Sequence, residues 1–172
     1  MKKVLSLLSV LILSSLAVSA SAADFKIASV DMQKALQGVE KGKKAKATLE
    51  KEFNEKKKQL QAEEEAIKKM TEDFKKQSMV LSDEAKAKKQ NEIQDRMVKY
   101  RELFSKSQFD IQNRERELTD PIIGKLREAV EEIGKAKGFT MIIEKNDSSI
   151  LYSSSQEDLT DEVIKSFNKK NG

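Results

Sequence analysis

Residues 43–118 contain neither proline nor glycine. Nothing in such a run interrupts the backbone, and a run of this length is typical of long helices. Charged residues make up 36% of the chain and the two signs are interspersed, which favours helices that are exposed over most of their surface. These residues therefore predict an elongated helical region, called the arm below, rather than a compact core.

The apolar residues in the first half of the arm follow a heptad pattern. Four of them recur every seven positions: Phe53, Leu60, Ile67 and Phe74. Leu49 and Met70 occupy the complementary position of the heptad, whereas Lys56 and Glu63 interrupt it. The pattern predicts a helix that packs against a partner along a broken, only partly sealed stripe.

A break in the arm is predicted at residues 77–84, because Ser82 is a good N-cap and Asp83 and Glu84 suit a helix N-terminus. A second apolar stripe follows at spacings of four and three: Ile93, Met97, Tyr100, Phe104, Ser107, Ile111, Arg114 and Leu118. Two such helices predict an antiparallel coiled-coil hairpin that reaches roughly 50 Å. The alternative is one continuous helix through residues 77–84.

The N-terminus has the pattern of a secretory signal peptide. Lys2 and Lys3 precede an apolar stretch, and Ala20-Ser21-Ala22 fits the small-residue cleavage rule, so we expect cleavage after residue 22. An uncleaved anchor is the alternative, but the apolar stretch is short for a bilayer span. Loss of Lys2 and Lys3 lowers the formal net charge from +4 to +2.

The composition argues against an enzyme. The chain has no cysteine and no histidine, which excludes disulfides, thiolate metal sites and the commonest general base. Glu63-Glu64-Glu65 is the densest carboxylate cluster, but consecutive helical residues point in different directions. No glycine-rich phosphate loop occurs. We therefore expect no catalytic residue, no metal and no cofactor.

Nucleic-acid binding is also not expected. The lysine cluster Lys56-Lys57-Lys58 has acidic neighbours such as Glu50, Glu52 and Glu55. Interspersed acids indicate a charge-laced helix face rather than a track for phosphates.

The two ends of the chain predict a small body that contains strands. Residues 25–30 are an apolar strand candidate, and Asp31 can cap a short helix that runs through Gly42. Near Pro121 a helix restarts or kinks, and Gly138 fits the position that ends it.

Strand candidates follow at residues 139–143 and 150–152, with a turn at Asn146-Asp147 between them, and Thr160 can serve as N-cap of a last helix. The expected fold is mainly α, of the α+β class. Residues 1–22 form the signal peptide, residues 23–42 and 119–172 form the body, and residues 43–118 form the arm.

So small a sheet is marginal alone and leaves its edges unpaired, so we expect the body to be the oligomerisation site. Met141, Ile142 and Ile143 are consecutive apolar residues, which predicts burial on both faces of their strand, with Ile142 central to the subunit contact. The expected oligomerisation residues are Ile27, Val30, Met141, Ile142, Ile143 and Leu151.

Three segments resemble the Skp/OmpH family of periplasmic chaperones. They are Lys26-Ile27-Ala28-Ser29-Val30-Asp31, Pro121-Ile122-Ile123-Gly124-Lys125 with the later Lys137-Gly138-Phe139, and Asp158-Leu159-Thr160-Asp161-Glu162-Val163-Ile164. The resemblance extends over the whole chain after the signal peptide. None of the segments is a catalytic signature, but their order around a proline-free charged hairpin is fairly specific.

The resemblance implies a jellyfish-like homotrimer in the periplasm. The bodies would join through their strands, and the three arms would enclose a cavity that holds unfolded outer-membrane proteins without ATP. It also implies contact with membrane or lipopolysaccharide surfaces, although a net charge of +2 predicts a weak attraction to them.

A holdase that releases its client without fuel needs many weak contacts. Apolar residues outside the two stripes are the candidates for binding the client: Met79, Val80, Leu81, Val98, Leu103 and Phe109. The alternative for Leu103 and Phe109 is packing within the hairpin itself. The alternative for the whole protein is a structural coiled-coil spacer or adaptor of the cell envelope, which would have a well-sealed stripe.

Overall fold

The computed structural model describes residues 25–145, 152 and 157–171. Strand β1 covers Ile27–Val30, as predicted, and Ala28 and Val30 are buried in the core. Helix α1 covers Met32–Gly38, and Asp31 caps it as predicted, since the Asp31 carboxylate accepts a hydrogen bond from the Lys34 backbone N–H. The expected signal peptide lies outside the described residues.

The first helix ends earlier than predicted. Helix α1 stops at Gly38, Val39 is extended, and helix α2 begins at Glu40 and continues to Gln77. Gly42 therefore lies inside α2 rather than at a helix end. A Cβ at Gly42 would lie 1.7 Å from the carbonyl oxygen of Leu36, so glycine is required where α2 passes close to α1.

The arm is a hairpin, as predicted, and the alternative of one continuous helix is wrong. Helix α2 ends at Gln77, and helix α3 covers Asp83–Lys137. The Ser82 hydroxyl accepts a hydrogen bond from the Ala85 backbone N–H, which is the predicted cap. Residues 78–82 form the loop at the far end of the hairpin, called the tip loop below. With 38 residues, α2 is about 57 Å long.

The predicted restart at Pro121 does not occur, because Pro121 lies inside the 55-residue helix α3. Proline removes one helical hydrogen bond. The residues that follow it, Ile122, Leu126, Ala129 and Ile133, are all buried against the body. This packing keeps the helix continuous where the local sequence predicts an interruption.

Gly138 ends α3 in the left-handed region at φ 69°, as predicted. Strand β2 then covers Met141–Glu144, two residues later than the predicted start at Phe139. The three-stranded sheet has the order β2-β1-β3 and is parallel throughout. Strand β3 is Glu157–Asp158, which the sequence did not predict. The predicted turn at 146–147 and strand at 150–152 lie outside the described residues, apart from Tyr152, which is in no strand.

Helix α4 covers Thr160–Asn171 and begins at Thr160 itself. The capping oxygen comes from Asp158, whose Oδ1 accepts from the Thr160 backbone N–H at 2.9 Å, so the predicted N-cap at Thr160 is displaced. The Thr160 hydroxyl also accepts from the Asp31 backbone N–H, which ties α4 to the start of α1. Asn168 in α4 accepts from the Glu40 backbone N–H and so caps α2.

The core of the body lies where the sheet, α1, α3 and α4 meet. Phe167, Leu126, Leu159, Val39 and Val163 are its largest fully buried apolar side chains. Within the described residues, no helix is both long enough and apolar enough to cross a membrane.

Candidate functional site

Ion pairs across the hairpin close the two interruptions in the first apolar stripe. Lys56 Nζ lies 2.7 Å from Asp110 Oδ2, and Arg96 Nε lies 3.0 Å from Glu63 Oε2. The hydrogen bond from Lys56 holds the pKa of Asp110 below its usual value. At Lys56 and Glu63 the two helices are therefore connected by ion pairs, and these positions are not the open gaps that the sequence predicted.

A third ion pair joins the helices nearer the body. Arg114 Nε lies 3.1 Å from Glu52 Oε1, although the sequence placed Arg114 in the second apolar stripe. Hydrogen bonds to Glu117 and then to Glu52 raise the pKa of Arg114. The three cross-hairpin pairs lie at intervals along α2 and favour the observed alignment of the two helices.

Several stripe residues stay exposed although the sequence predicted that they pack. Phe53 is 52% exposed and Phe104 is 43% exposed, and Met97 is similar. Ser107 is the stripe residue that is buried, and its small side chain leaves room beside it. The signal that could have found the exposed residues is the polar character of neighbouring stripe positions, since Lys56, Glu63 and Arg114 hold the helices together in place of apolar contacts.

The exposed aromatic residues line a cleft between the helices on one side of the hairpin. Its volume is about 590 Å³. We call it the aromatic groove, and its lining residues are Phe53, Lys56, Lys57, Leu60, Gln61, Glu64, Tyr100, Phe104, Ser107, Gln108, Ile111 and Gln112. Its floor is apolar and aromatic, and three glutamine amides lie among its lining residues.

A second cleft of about 600 Å³ lies nearer the tip loop and is lined by charged side chains. We call it the charged groove, and its lining residues are Glu63, Met70, Glu92, Asp95, Arg96, Lys99, Tyr100 and Leu103. Three carboxylates and two cations surround its apolar residues. Tyr100 is common to both grooves.

The structure separates the six predicted client-binding residues into three locations. Met79 is 93% exposed in the tip loop, where Val80 is also exposed and Leu81 is partly buried. Val98 and Phe109 are exposed on α3, and both lie outside the two grooves. Leu103 is partly buried in the charged groove. The structure does not bring the six together into one surface.

The predicted oligomerisation residues lie on opposite faces of the sheet. Ile27 pairs in register with Met141, and Ser29 pairs with Ile143. Because side chains alternate along a strand, these residues share the face opposite to Ala28, Val30 and Ile142, and Ser29 is the buried residue among them. Met141 is 49% exposed there, and Ile27 and Ile143 are partly exposed. We call Ile27, Met141 and Ile143 the assembly face.

Val30 and Ile142 lie on the other face of the sheet. Val30 is buried in the core of its own chain. Ile142 packs closely against Gly134 of α3, because a Cβ added to Gly134 would lie 2.9 Å from Ile142 Cδ1. Alternation along the strands turns both side chains towards the core of their own chain. The subunit contact predicted for Ile142 stays a prediction. Leu151 lies outside the described residues.

These features define a class of protein: a small parallel-sheet body that carries a long, charge-laced helical hairpin with exposed apolar side chains. A family model described as "Outer membrane protein (OmpH-like)" matches residues 26–167. The chain belongs to the OmpH-like family, as the sequence resemblance indicated.

Two individual proteins are similar to the chain over most of their length. The "Chaperone protein Skp" of Yersinia enterocolitica is 27% identical over 154 residues, which cover 87% of this chain and 90% of the relative. The crystal structure of an OmpH-like protein from Caulobacter crescentus has a TM-score of 0.70 at 12% identity and covers 84% of each chain. At that identity the second likeness shows the shared fold alone.

Proposed function

We propose that this protein is a periplasmic chaperone that holds unfolded outer-membrane proteins without ATP and keeps them from aggregating before membrane insertion. Membership of the OmpH-like family and the similarity to a Skp chaperone support the general role. The observation that carries the holding mechanism is the arm, whose apolar side chains remain exposed between ion-paired positions.

Such an arm suits a holdase because each contact with a client is weak. Single exposed apolar side chains such as Phe53 and Phe104 each offer a limited area, and the charges around them remain hydrated. Burial contributes roughly 25 cal/mol per Å² of apolar surface, so a partly used side chain adds only a small amount. Many such contacts retain an unfolded chain, yet each one breaks without an energy source.

The proposed assembly is a homotrimer that joins through the sheets and encloses the client between three arms. The assembly face is apolar and partly exposed in a single chain, with Met141 at its most exposed point. Strand β2 also has a free edge within the described sheet, because the strand order is β2-β1-β3. If neighbouring subunits covered the assembly face and the free edge of β2, the apolar surface would be buried and the backbone groups at the edge would be paired.

The periplasmic location rests on the family and on the proposed signal peptide of residues 1–22. The protein isolated from the bacterial envelope should begin at Ala23. A chain that keeps residues 1–22, or one that stays in the cytoplasm, would contradict the location.

The test of the proposed function is aggregation of an unfolded β-barrel outer-membrane protein diluted from urea, followed by light scattering. The purified protein should suppress the scattering without ATP when about one trimer is present for each molecule of the β-barrel protein. A rigid spacer remains the second candidate, because the three cross-hairpin ion pairs and the 55-residue α3 would also suit a strut. Scattering that the protein leaves unchanged would favour the spacer.

A further inference from the structure

The grooves of the arm differ in chemistry. Five of the eight residues that line the charged groove are ionised, which makes it costly to cover with an apolar group. In the aromatic groove, Phe53 and Phe104 are about half exposed, and three of the twelve lining residues are ionised. Three others carry the neutral amides of Gln61, Gln108 and Gln112. Apolar surface can be buried there with little loss of ionic hydration.

The volume and the polar groups of the aromatic groove suit a segment of polypeptide. A volume of about 590 Å³ lies within the range of well-formed binding clefts and leaves room for aromatic side chains. Aromatic pairs gain additional energy from offset or edge-to-face packing against rings such as Phe53 and Phe104. Each glutamine amide both donates and accepts hydrogen bonds, so the amides can pair with the backbone of a chain that has no secondary structure.

The charge of the groove is divided along α2. Lys56 is bonded to Asp110, whereas Lys57, beside Phe53, forms no ion pair among the residues that the structure describes. Glu64 lies two helical turns further towards the tip loop, so the positive charge is concentrated at the end nearer the body. A carboxylate next to an aromatic side chain would complement that end.

We infer that the aromatic groove is the surface of the arm that contacts the client, and that it takes an extended segment in which an aromatic side chain lies beside a carboxylate. The inference rests on the proposed function and goes beyond it by assigning the site and the chemistry of the segment. The client-binding residues are then residues of the stripes, chiefly Phe53 and Phe104, in place of the predicted residues outside the stripes.

The first experiment compares two double variants that each replace two exposed apolar residues. F53Q/F104Q alters the aromatic groove, and V98Q/F109Q alters exposed positions outside it. The affinity for a fluorescently labelled unfolded β-barrel protein should fall roughly tenfold in the first, as expected for the loss of two aromatic contacts, and less than about twofold in the second. Circular dichroism and sedimentation velocity check that both retain helix content and assembly.

Equal losses in the two variants, or a loss confined to V98Q/F109Q, would overturn the inference. A changed sedimentation coefficient of F53Q/F104Q with unchanged client affinity would also overturn it. That result would mean that a second copy of the chain, rather than the client, covers the groove. Failure of the wild-type protein to bind the client would refute the proposed function as well, so the two failures are distinguishable.

The second experiment leaves the apolar packing intact. Lys57→Glu reverses a charge that lines the groove. Lys58→Glu makes the same change at the next residue, whose side chain is not part of the lining. The probes are labelled Ser-Gly-Phe-Asp-Phe-Gly-Ser and the same peptide with Asn in place of Asp. Lys57→Glu should weaken binding of the Asp peptide several-fold and leave the Asn peptide unchanged. Identical behaviour of the two variants would exclude the proposed carboxylate contact.

Discussion

The body and the arm bury their side chains to very different degrees. In the body, Leu126, Leu159, Val163 and Phe167 are fully or almost fully buried. Within residues 46–118, all of which the structure describes, Ser107 is the only buried residue. Helix α3 belongs to both regions, so the difference arises from what packs against the helix. In the body the sheet, α1 and α4 pack against α3, whereas in the arm α2 alone lies beside it.

This difference indicates two sources of stability. Burial of apolar surface stabilises the body and makes it sensitive to single substitutions. Helix propensity, half-buried stripes and cross-hairpin ion pairs stabilise the arm, and each of these contributions is small. The arm can therefore present half-exposed apolar side chains to a partner while each of them contributes only weakly to its own fold.

The largest expected effect comes from removing a fully buried ring from the body. Phe167→Ala should lower the free energy of unfolding by about 3–5 kcal/mol, through lost apolar burial and the cavity that remains. Phe109→Ala removes the same ring from a site that is 62% exposed in the arm and should cost less than about 0.5 kcal/mol. Urea denaturation followed by circular dichroism measures both. Similar losses in the two variants would contradict the contrast between the regions.

Charges placed on the two faces of β2 should separate folding from assembly. Ile142→Asp puts a charge against α3, at a cost of several kcal/mol, and should unfold the body. Met141→Asp puts the same charge on the assembly face and should leave a folded chain that no longer forms trimers. Sedimentation velocity with circular dichroism distinguishes the two results. A stable trimer of the Met141 variant would show that subunits join elsewhere.

A glycine pair tests the junction where the body meets the arm. Gly42→Ala forces a methyl group into the Leu36 carbonyl and should destabilise the protein by about 1–3 kcal/mol. Gly124→Ala, in α3, meets no atom within 4 Å and should stabilise the helix by about 0.5–1 kcal/mol. The melting temperatures should therefore move in opposite directions. A stabilised Gly42 variant would mean that α1 is free to move away from α2.

The long helices and the break between them could be predicted because their signals are local. Absence of glycine and proline allows the helices, and Ser82 with Asp83 marks the start of α3. The restart predicted at Pro121 is wrong because its local preference is outweighed by the buried Ile122 and Leu126 that follow it, and the alternative of a kink stays a prediction. Strand β3 was missed because Glu157 and Asp158 have no apolar pattern and become a strand only through pairing with β1.

The candidate sites depend even more on distant partners. Alternation along the strands gives two faces, but the sequence does not reveal that Ile142 faces α3 and Met141 faces outward until the helix that covers the sheet is known. The exposure of Phe53 and Phe104 likewise depends on which residues of α2 and α3 stand opposite each other. That register is favoured by ion pairs such as Lys56 with Asp110, which only the folded hairpin brings together.

A smaller effect is expected from the polar network at the start of α4. Hydrogen bonds from Thr160 and Lys145 lower the pKa of Asp158 in the folded protein. A lowered pKa means that the carboxylate stabilises the fold above about pH 4, the unfolded value, and that this stability is lost as the pH falls further. Asp158→Asn should cost about 1 kcal/mol at pH 7 and should flatten the pH dependence between about pH 4 and 2. If the free energy of unfolding of Asp158→Asn changed with pH as steeply as that of the wild-type protein, this role of Asp158 would be excluded.

The smallest expected effect concerns the ion pairs of the arm. The Arg96 and Glu63 side chains are 39% and 40% exposed, so water and salt screen their attraction. Arg96 also contacts the Met70 sulfur, and a single substitution would therefore remove packing together with charge. A double-mutant cycle of Arg96→Ala and Glu63→Ala isolates the pair, and its coupling energy should be about 0.5 kcal/mol and decrease in 1 M salt. The control is the pair of Lys46 with Glu50, which lies within α2 and cannot hold the hairpin together. A coupling above about 2 kcal/mol would mean that the arm, like the body, depends on a few strong contacts, and the contrast between their two sources of stability would fail.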